Sequence, residues 1–174
     1  SYVPRHEWTD IDGARRSVTD QGGIHDIWVG SSWGPTYDGR NGVTLSAPGD
    51  RNKTTYGLTS YWATFRFNRL QEGNGYYGMS SAVSAAAPIL TGVVAMMLSA
   101  DPGLDAADVK QILQQTARSD EYTGVTPNPK WGHGKLDAYA AVKEVVRLTS
   151  VDVDPNAPVP TSLQLLQNYP NPFN

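Results

Sequence analysis

The sequence predicts an α/β domain followed by a linker and the start of a further unit, and three observations point to it. Residues 1 to about 80 are rich in Gly, aromatic and polar side chains and hold only short β-prone runs. Residues from about 82 to 149 hold three stretches with helical patterning. From 150 to 162 the composition turns to Pro and Asp, with Pro155, Pro158 and Pro160 stiffening the chain toward extended geometry. The expected division is therefore 1–149, a linker at 150–162, and a new unit opening at 163–174.

Each element can be justified in order. Ile24 to Val29 and Gly42 to Ser46 are β-prone, and Asp38-Gly39 and Asn41-Gly42 are turn dipeptides between them. Arg51 to Asn74 is long, polar and aromatic, which predicts a surface loop or hairpin. The spacing of its rings, Tyr56, Tyr61, Trp62, Phe65 and Phe67, favours core packing. Pro88 to Ala100 is apolar on nearly every face, which predicts a buried helix whose small residues Thr91, Gly92 and Ala95 allow close approach. On that reading Gly92→Leu overpacks it. Asp101-Pro102-Gly103 ends the helix, and Asp105 caps the next, with Val109, Ile112, Leu113 and Thr116 as its apolar stripe. A third helix is expected from about Lys135 to Leu148, burying Leu136, Tyr139, Ala140, Val142 and Val146.

Composition narrows the function. The 174 residues carry 14 Lys and Arg against 17 Asp and Glu, a formal charge of -3, so the basic excess of a nucleic-acid module is missing. Hydrophobic residues make up 39%, which suits a globular domain. The longest apolar run, Ile89 to Leu98, is too short to span a bilayer. There is no Cys, so disulfides and thiolate chemistry are excluded. Ser1 to Glu7 has no signal-peptide core, which fits a cytosolic chain or one whose beginning has been removed.

Among candidate chemical groups, Ser84 stands out, because it lies where a helix begins. Free N–H groups and the dipole there favour a developing oxyanion. The competing reading is a plain N-cap, since Ser80, Ser81 and Ser84 lie close together. His6, His25 and His133 show no metal spacing; His133 between two glycines reads as a turn, and His25 as a hydrogen-bonded strand residue. Asp10 and Asp12 look like half a metal loop without its later ligands.

Four phrases in order carry a resemblance. Ser84-Ala85-Ala86-Ala87-Pro88 through Gly92 to Leu98 resembles the nucleophile segment of subtilisin-like serine proteases, Gly-Thr-Ser-Met-Ala-x-Pro followed by an apolar helix. Asp101-Pro102-Gly103-Leu104 to Thr116-Ala117 is similar to the family's next helical phrase. Trp131-Gly132-His133-Gly134-Lys135-Leu136-Asp137-Ala138 resembles its closing Gly-x-Gly-x-Val-(Asn/Asp)-Ala. Upstream, Ser31 to Arg40 and Ala47-Pro48-Gly49 resemble its Ser-x-x-Gly-Pro-x-x-Asp-Gly-Arg and Ala-Pro-Gly phrases.

The resemblance covers about residues 24 to 147 and implies the C-terminal half of a parallel-sheet domain with flanking helices. It implies Ser84 as nucleophile, protein or peptide as substrate, and calcium as a metal that family members often bind, although no complete ligand set is visible. Two departures stand out. Ala82-Val83 replaces the family's Gly-Thr, and the phrases that hold its catalytic His, Asp and oxyanion Asn do not occur. The tail, Gln167-Asn168-Tyr169-Pro170-Asn171-Pro172-Phe173-Asn174, resembles the opening of type IX sorting domains, which implies an extracellular or cell-surface protein.

Two main expectations follow from these residues. One is part of a secreted serine endopeptidase, with His and Asp supplied by an N-terminal part of the same domain. The other is a non-catalytic surface protein on a degenerate scaffold, self-assembling or joining partners. A third, weaker expectation is a carbohydrate- or protein-binding module using Tyr56 to Phe67.

Overall fold

The computed structural model describes residues 1–57 and 59–150. The expected unit at 163–174, and the linker beyond Ser150, lie outside the described residues. The described residues hold four strands and three α-helices: β1 Glu7–Thr9, β2 Arg15–Ser17, β3 Asn52–Thr55, β4 Tyr77–Ser80, α1 Val83–Ala100, α2 Ala106–Gln115 and α3 Ala138–Ser150. Strands in the first half and helices in the second form the α/β mixture that the sequence predicts.

The strands pair as two antiparallel hairpins, β1 with β2 and β3 with β4. Among the described residues, parallel pairing is confined to single bridges, Tyr2 with Pro48 and Ser46 with Lys135. The β-prone runs are not strands. Ile24 to Val29 forms turns around one bridge from Ile27 to Tyr2, and Gly42 to Ser46 meets Lys135 only at Ser46. A run of branched side chains becomes a strand only where a second backbone lies alongside. Polar Asn52–Thr55 has such a neighbour in β4.

The hairpin expected over Arg51 to Asn74 is present, but it is closed by β4, and its tip is three short 3₁₀ turns. Its rings do not form a core: Tyr61, Trp62 and Phe67 are exposed.

α1 begins at Val83, five residues ahead of Pro88, and so takes Ser84 into its first turn. Pro88 has no N–H, which leaves the Ser84 carbonyl without its helical donor. The expected burial on all faces is not observed. Ala86, Val93 and Met97 are buried, whereas Ala87, Gly92, Ala95 and Met96 are exposed. A Cβ at Gly92 would meet nothing within 4 Å, so the expected overpacking is absent from this chain. By length and composition alone α1 matches a membrane span, with mean hydropathy 1.8. Val93 and Met97 nonetheless pack with Ile112, Leu113, Ala141 and Val145 in a three-helix core. Each of the larger side chains, Ala141 aside, contributes about 1.5–3 kcal/mol.

α2 follows its local code. Asp105 Oδ1 accepts from the N–H groups of Ala107 and Asp108 at 2.7 and 2.9 Å, and the Asp108 carboxylate accepts from Asp105 N–H. α3 starts at Ala138 rather than Lys135, and its buried face is Ala141 and Val145. Tyr139 and Val146, expected inside, are exposed. Its apolar residues cover a wide arc, and packing against α1 and α2 selects the side.

A second cluster joins the chain's first residues to the closing phrase. Tyr2, Ile27 and Trp131 are buried together. Lys135 is wholly buried: its Nζ lies 4.9–5.1 Å from the rings of Tyr2, Tyr122 and Trp131 and donates to Asp120 Oδ2 at 2.8 Å.

Candidate active site

The β4–α1 junction presents Ser84. β3 and β4 pair in the register Asn52 with Ser80, Lys53 with Met79, Thr54 with Gly78 and Thr55 with Tyr77. Gly78 is required by a close approach: a Cβ there would lie 2.4 Å from the Tyr56 ring. The Tyr56 hydroxyl donates to the Met79 carbonyl, and burial raises its pKa above the ordinary tyrosine value.

The turn after β4 is fastened to the residue before β3. Arg51 donates to Ser81 Oγ twice, from its backbone N–H at 3.2 Å and from Nη1 at 3.3 Å. Asn52 Nδ2 reaches from the Pro48 carbonyl at 2.8 Å to the Ala85 carbonyl at 3.4 Å. Asp50 is buried beside this clamp, with Oδ1 3.8 Å from Arg51 Nε. Sequence reasoning missed Arg51 and Asn52. The only local signal was their position just after Ala47-Pro48-Gly49.

Ala82 is the N-cap of α1 at φ 82° and ψ 175°. Only glycine occupies that region without strain. The Ala82 side chain makes no capping hydrogen bond, so the first-turn N–H groups are not covered from that side. Ser84 is exposed, and its hydroxyl makes no hydrogen bond among the described residues. It lines a cavity of about 250 Å³ with Asn52, Lys53, Thr54, Ser80 and Pro88, and no His, Asp or Glu lines that cavity.

The remaining candidates lie elsewhere. His6 Nε2 is 2.7 Å from the Gly22 carbonyl. His25 is not in a strand: its φ is 72°, its N–H donates to the Val3 carbonyl, and its ring lies against Tyr122. His133 sits in the expected turn and donates its N–H to the Thr44 carbonyl.

The acidic pair Asp10 and Asp12 does not fit a calcium ion. Asp10 Oδ1 accepts from the N–H groups of Asp12 and Ala14, and Oδ2 from Arg16 Nε at 2.6 Å. Burial alone would raise the Asp10 pKa, yet these bonds hold it below the ordinary carboxylate value. Asp12 is paired with Arg66. Among the described residues no group of three or more His, Cys, Asp or Glu could hold a metal.

A family model described as the subtilase family, Peptidase_S8, matches residues 18–134. The chain belongs to the subtilase family.

That match includes the β4–α1 junction and ends within the closing phrase. A search of curated proteins gives no match. Among solved structures, this subtilase chain is similar to fervidolysin from Fervidobacterium pennivorans, described as a keratinolytic enzyme related to subtilisin. The identity is 28% and the TM-score 0.48, over 59% of this chain and 15% of that one. A protease of Pseudoalteromonas arctica gives 26% and 0.42 over 59% of this chain and 29% of that one. The CspB protease of Clostridium perfringens gives 20% and 0.45 over 74% and 23%. The subtilase chain thus spans less than a third of the length of each of these proteins.

Proposed function

We propose that this chain is the nucleophile-bearing part of a secreted subtilisin-like serine endopeptidase. One observation carries the reading: within the subtilase match, Ser84 is exposed in the first turn of the helix that opens at left-handed residue 82. Ser84 Oγ attacks the peptide carbonyl carbon. The Oγ–C bond forms as the carbonyl π pair moves to oxygen, the oxyanion then collapses and breaks the C–N bond, the serine proton passes through a base to the departing amine, and water then releases the acyl group and restores the serine hydroxyl. The His base and its Asp come from an N-terminal part of the same domain, outside this chain. Calcium has no fitting ligand set among the described residues and enters no step.

The outward face of α1 supports such a partner. Ala87, Gly92, Ala95 and Met96 are exposed on an apolar helix. An apolar cavity of about 460 Å³ beside it is lined by Leu45, Leu90, Val94, Leu98, Leu104 and Leu113. In this reading 150–162 is a linker, 163–174 opens a type IX sorting domain, and the protein works outside the cell.

The purified natural protein, treated with a fluorophosphonate probe and mapped by peptides, is expected to carry label on Ser84. Ser84→Ala is expected to abolish label and turnover with its folding intact. Unchanged activity in that variant overturns the assignment. A second reading, a non-catalytic surface protein, is favoured by the Cβ at residue 82, and absence of label from the folded natural protein would select it.

A further inference from the structure

The segment between β3 and β4 holds aromatic surface that the core does not use. Tyr61, Trp62 and Phe67 leave 69%, 58% and 47% of their surface exposed. They are ordered by one another rather than by burial. Tyr61 meets Trp62 at 5.6 Å and 70° and Phe65 at 5.1 Å and 87°, and Phe65 meets Phe67 at 5.8 Å and 61°. The array is fastened from below, where Trp8 Nε1 donates to the Phe67 carbonyl at 2.7 Å and Arg66 pairs with Asp12. Rings fixed in this way lose little freedom on binding.

Trp62 also walls a cleft of about 270 Å³, with Arg51, Tyr56, Asn68, Met79 and Ser80. Ser80 lines the Ser84 cavity too, so the two spaces adjoin across the end of β4.

We propose that this cleft is a substrate subsite for a bulky apolar side chain of a polypeptide, with Trp62 as its specificity-determining residue. The proposal rests on the reading of Ser84 given above. The Trp62 and Tyr56 rings form the apolar part of the lining, the Tyr56 hydroxyl being engaged by the Met79 carbonyl, and Arg51, Asn68, Ser80 and Ser81 form a polar part of similar extent that suits the peptide groups flanking such a side chain. The Asn68 amide makes no hydrogen bond among the described residues and offers a donor and an acceptor to a substrate peptide group.

The test compares the complete natural protein with its Trp62→Ala and Trp62→Phe variants. The substrates are peptide pairs differing by Phe or Ser at each position flanking the scissile bond. The parent is expected to favour Phe at one position by about tenfold in kcat/KM, as for other apolar pockets. Trp62→Ala is expected to lose that preference and Trp62→Phe to keep it, while a small fluorophosphonate still labels Ser84 in both. An undiminished preference in Trp62→Ala overturns the subsite while leaving Ser84 as nucleophile.

If the parent takes no label on Ser84, the catalytic reading fails, and the cleft is tested by binding alone. Saturable binding of the Phe peptide, lost in Trp62→Ala, sustains the subsite. No peptide binding, or binding of an insoluble polysaccharide in its place, overturns it.

Discussion

Ala82 decides how the segment that carries Ser84 is held. The chain must turn from β4 into α1 within two residues, and residue 82 takes φ 82° to do so. Glycine reaches that conformation freely, whereas a Cβ costs about 1–3 kcal/mol. The surrounding contacts offset this. Ala85 N–H donates to the Ala82 carbonyl at 2.9 Å, and Arg51 grips Ser81. Ala82→Gly is therefore expected to stabilise the protein by about 1 kcal/mol, read as a higher urea midpoint with unchanged slope. A lower midpoint would show that residue 82 is not strained in solution.

At the scale of elements, α1 is the informative case. Its exposed face is as apolar as its buried one, so the two environments of the protein should respond differently to added bulk. Gly92→Leu is expected to be well tolerated in this chain alone, where open space surrounds residue 92. Under the proposed function, where a further part of the domain covers α1, the same change is expected to destabilise the longer protein by about 1–3 kcal/mol through overpacking. Thermal melts of both proteins check this, and equal small effects in both would argue against any covering segment at Gly92.

The elements also differ in how far the sequence showed them. The start of α2 was legible because its capping box lies within four residues, Asp105 to Asp108. The buried face of α3 was not, because Ala140, Ala141, Val142, Val145 and Val146 offer several apolar faces and the neighbouring helices choose one. β3 was hidden by its polar composition, since its pairing partner lies beyond a long segment. At the candidate site, the place of Ser84 at a helix start was legible from a short phrase. Arg51 was not, and although the sequence marked Trp62 as part of an aromatic run, its place beside Ser80 was not legible either, because these relations exist only once the hairpin has closed.

For the molecule as a whole, the Lys135 cluster ties Tyr2 to the closing phrase, and its charge balance makes stability depend on pH. Burial alone would raise the Asp120 pKa. The hydrogen bond from Lys135, the N–H groups of Thr123 and Tyr122, and the charge of Lys135 together bring it below the ordinary carboxylate value. A carboxyl depressed in the folded state contributes stability above its unfolded pKa and loses it as pH falls through the folded one. Stability is therefore expected to decline below about pH 4, the unfolded value for Asp. Asp120→Asn is expected to flatten that acid limb and to cost about 2 kcal/mol at neutral pH, between the exposed and buried cases. Urea titrations at pH 7 and pH 3 test both, and an unchanged acid limb in Asp120→Asn would assign the dependence to other carboxylates such as Asp10.

The same cluster gives the protein its own optical gauge. Of the five tryptophans, Trp131 is shut away beside an ammonium group, whereas Trp33 and Trp62 stand in solvent. A collisional quencher such as iodide silences the outer two, reaches half-buried Trp8 and Trp28 in part, and spares Trp131. With Trp8 and Trp28 replaced by Phe, the residual emission reports whether Tyr2 and the closing phrase are still joined, with no label added.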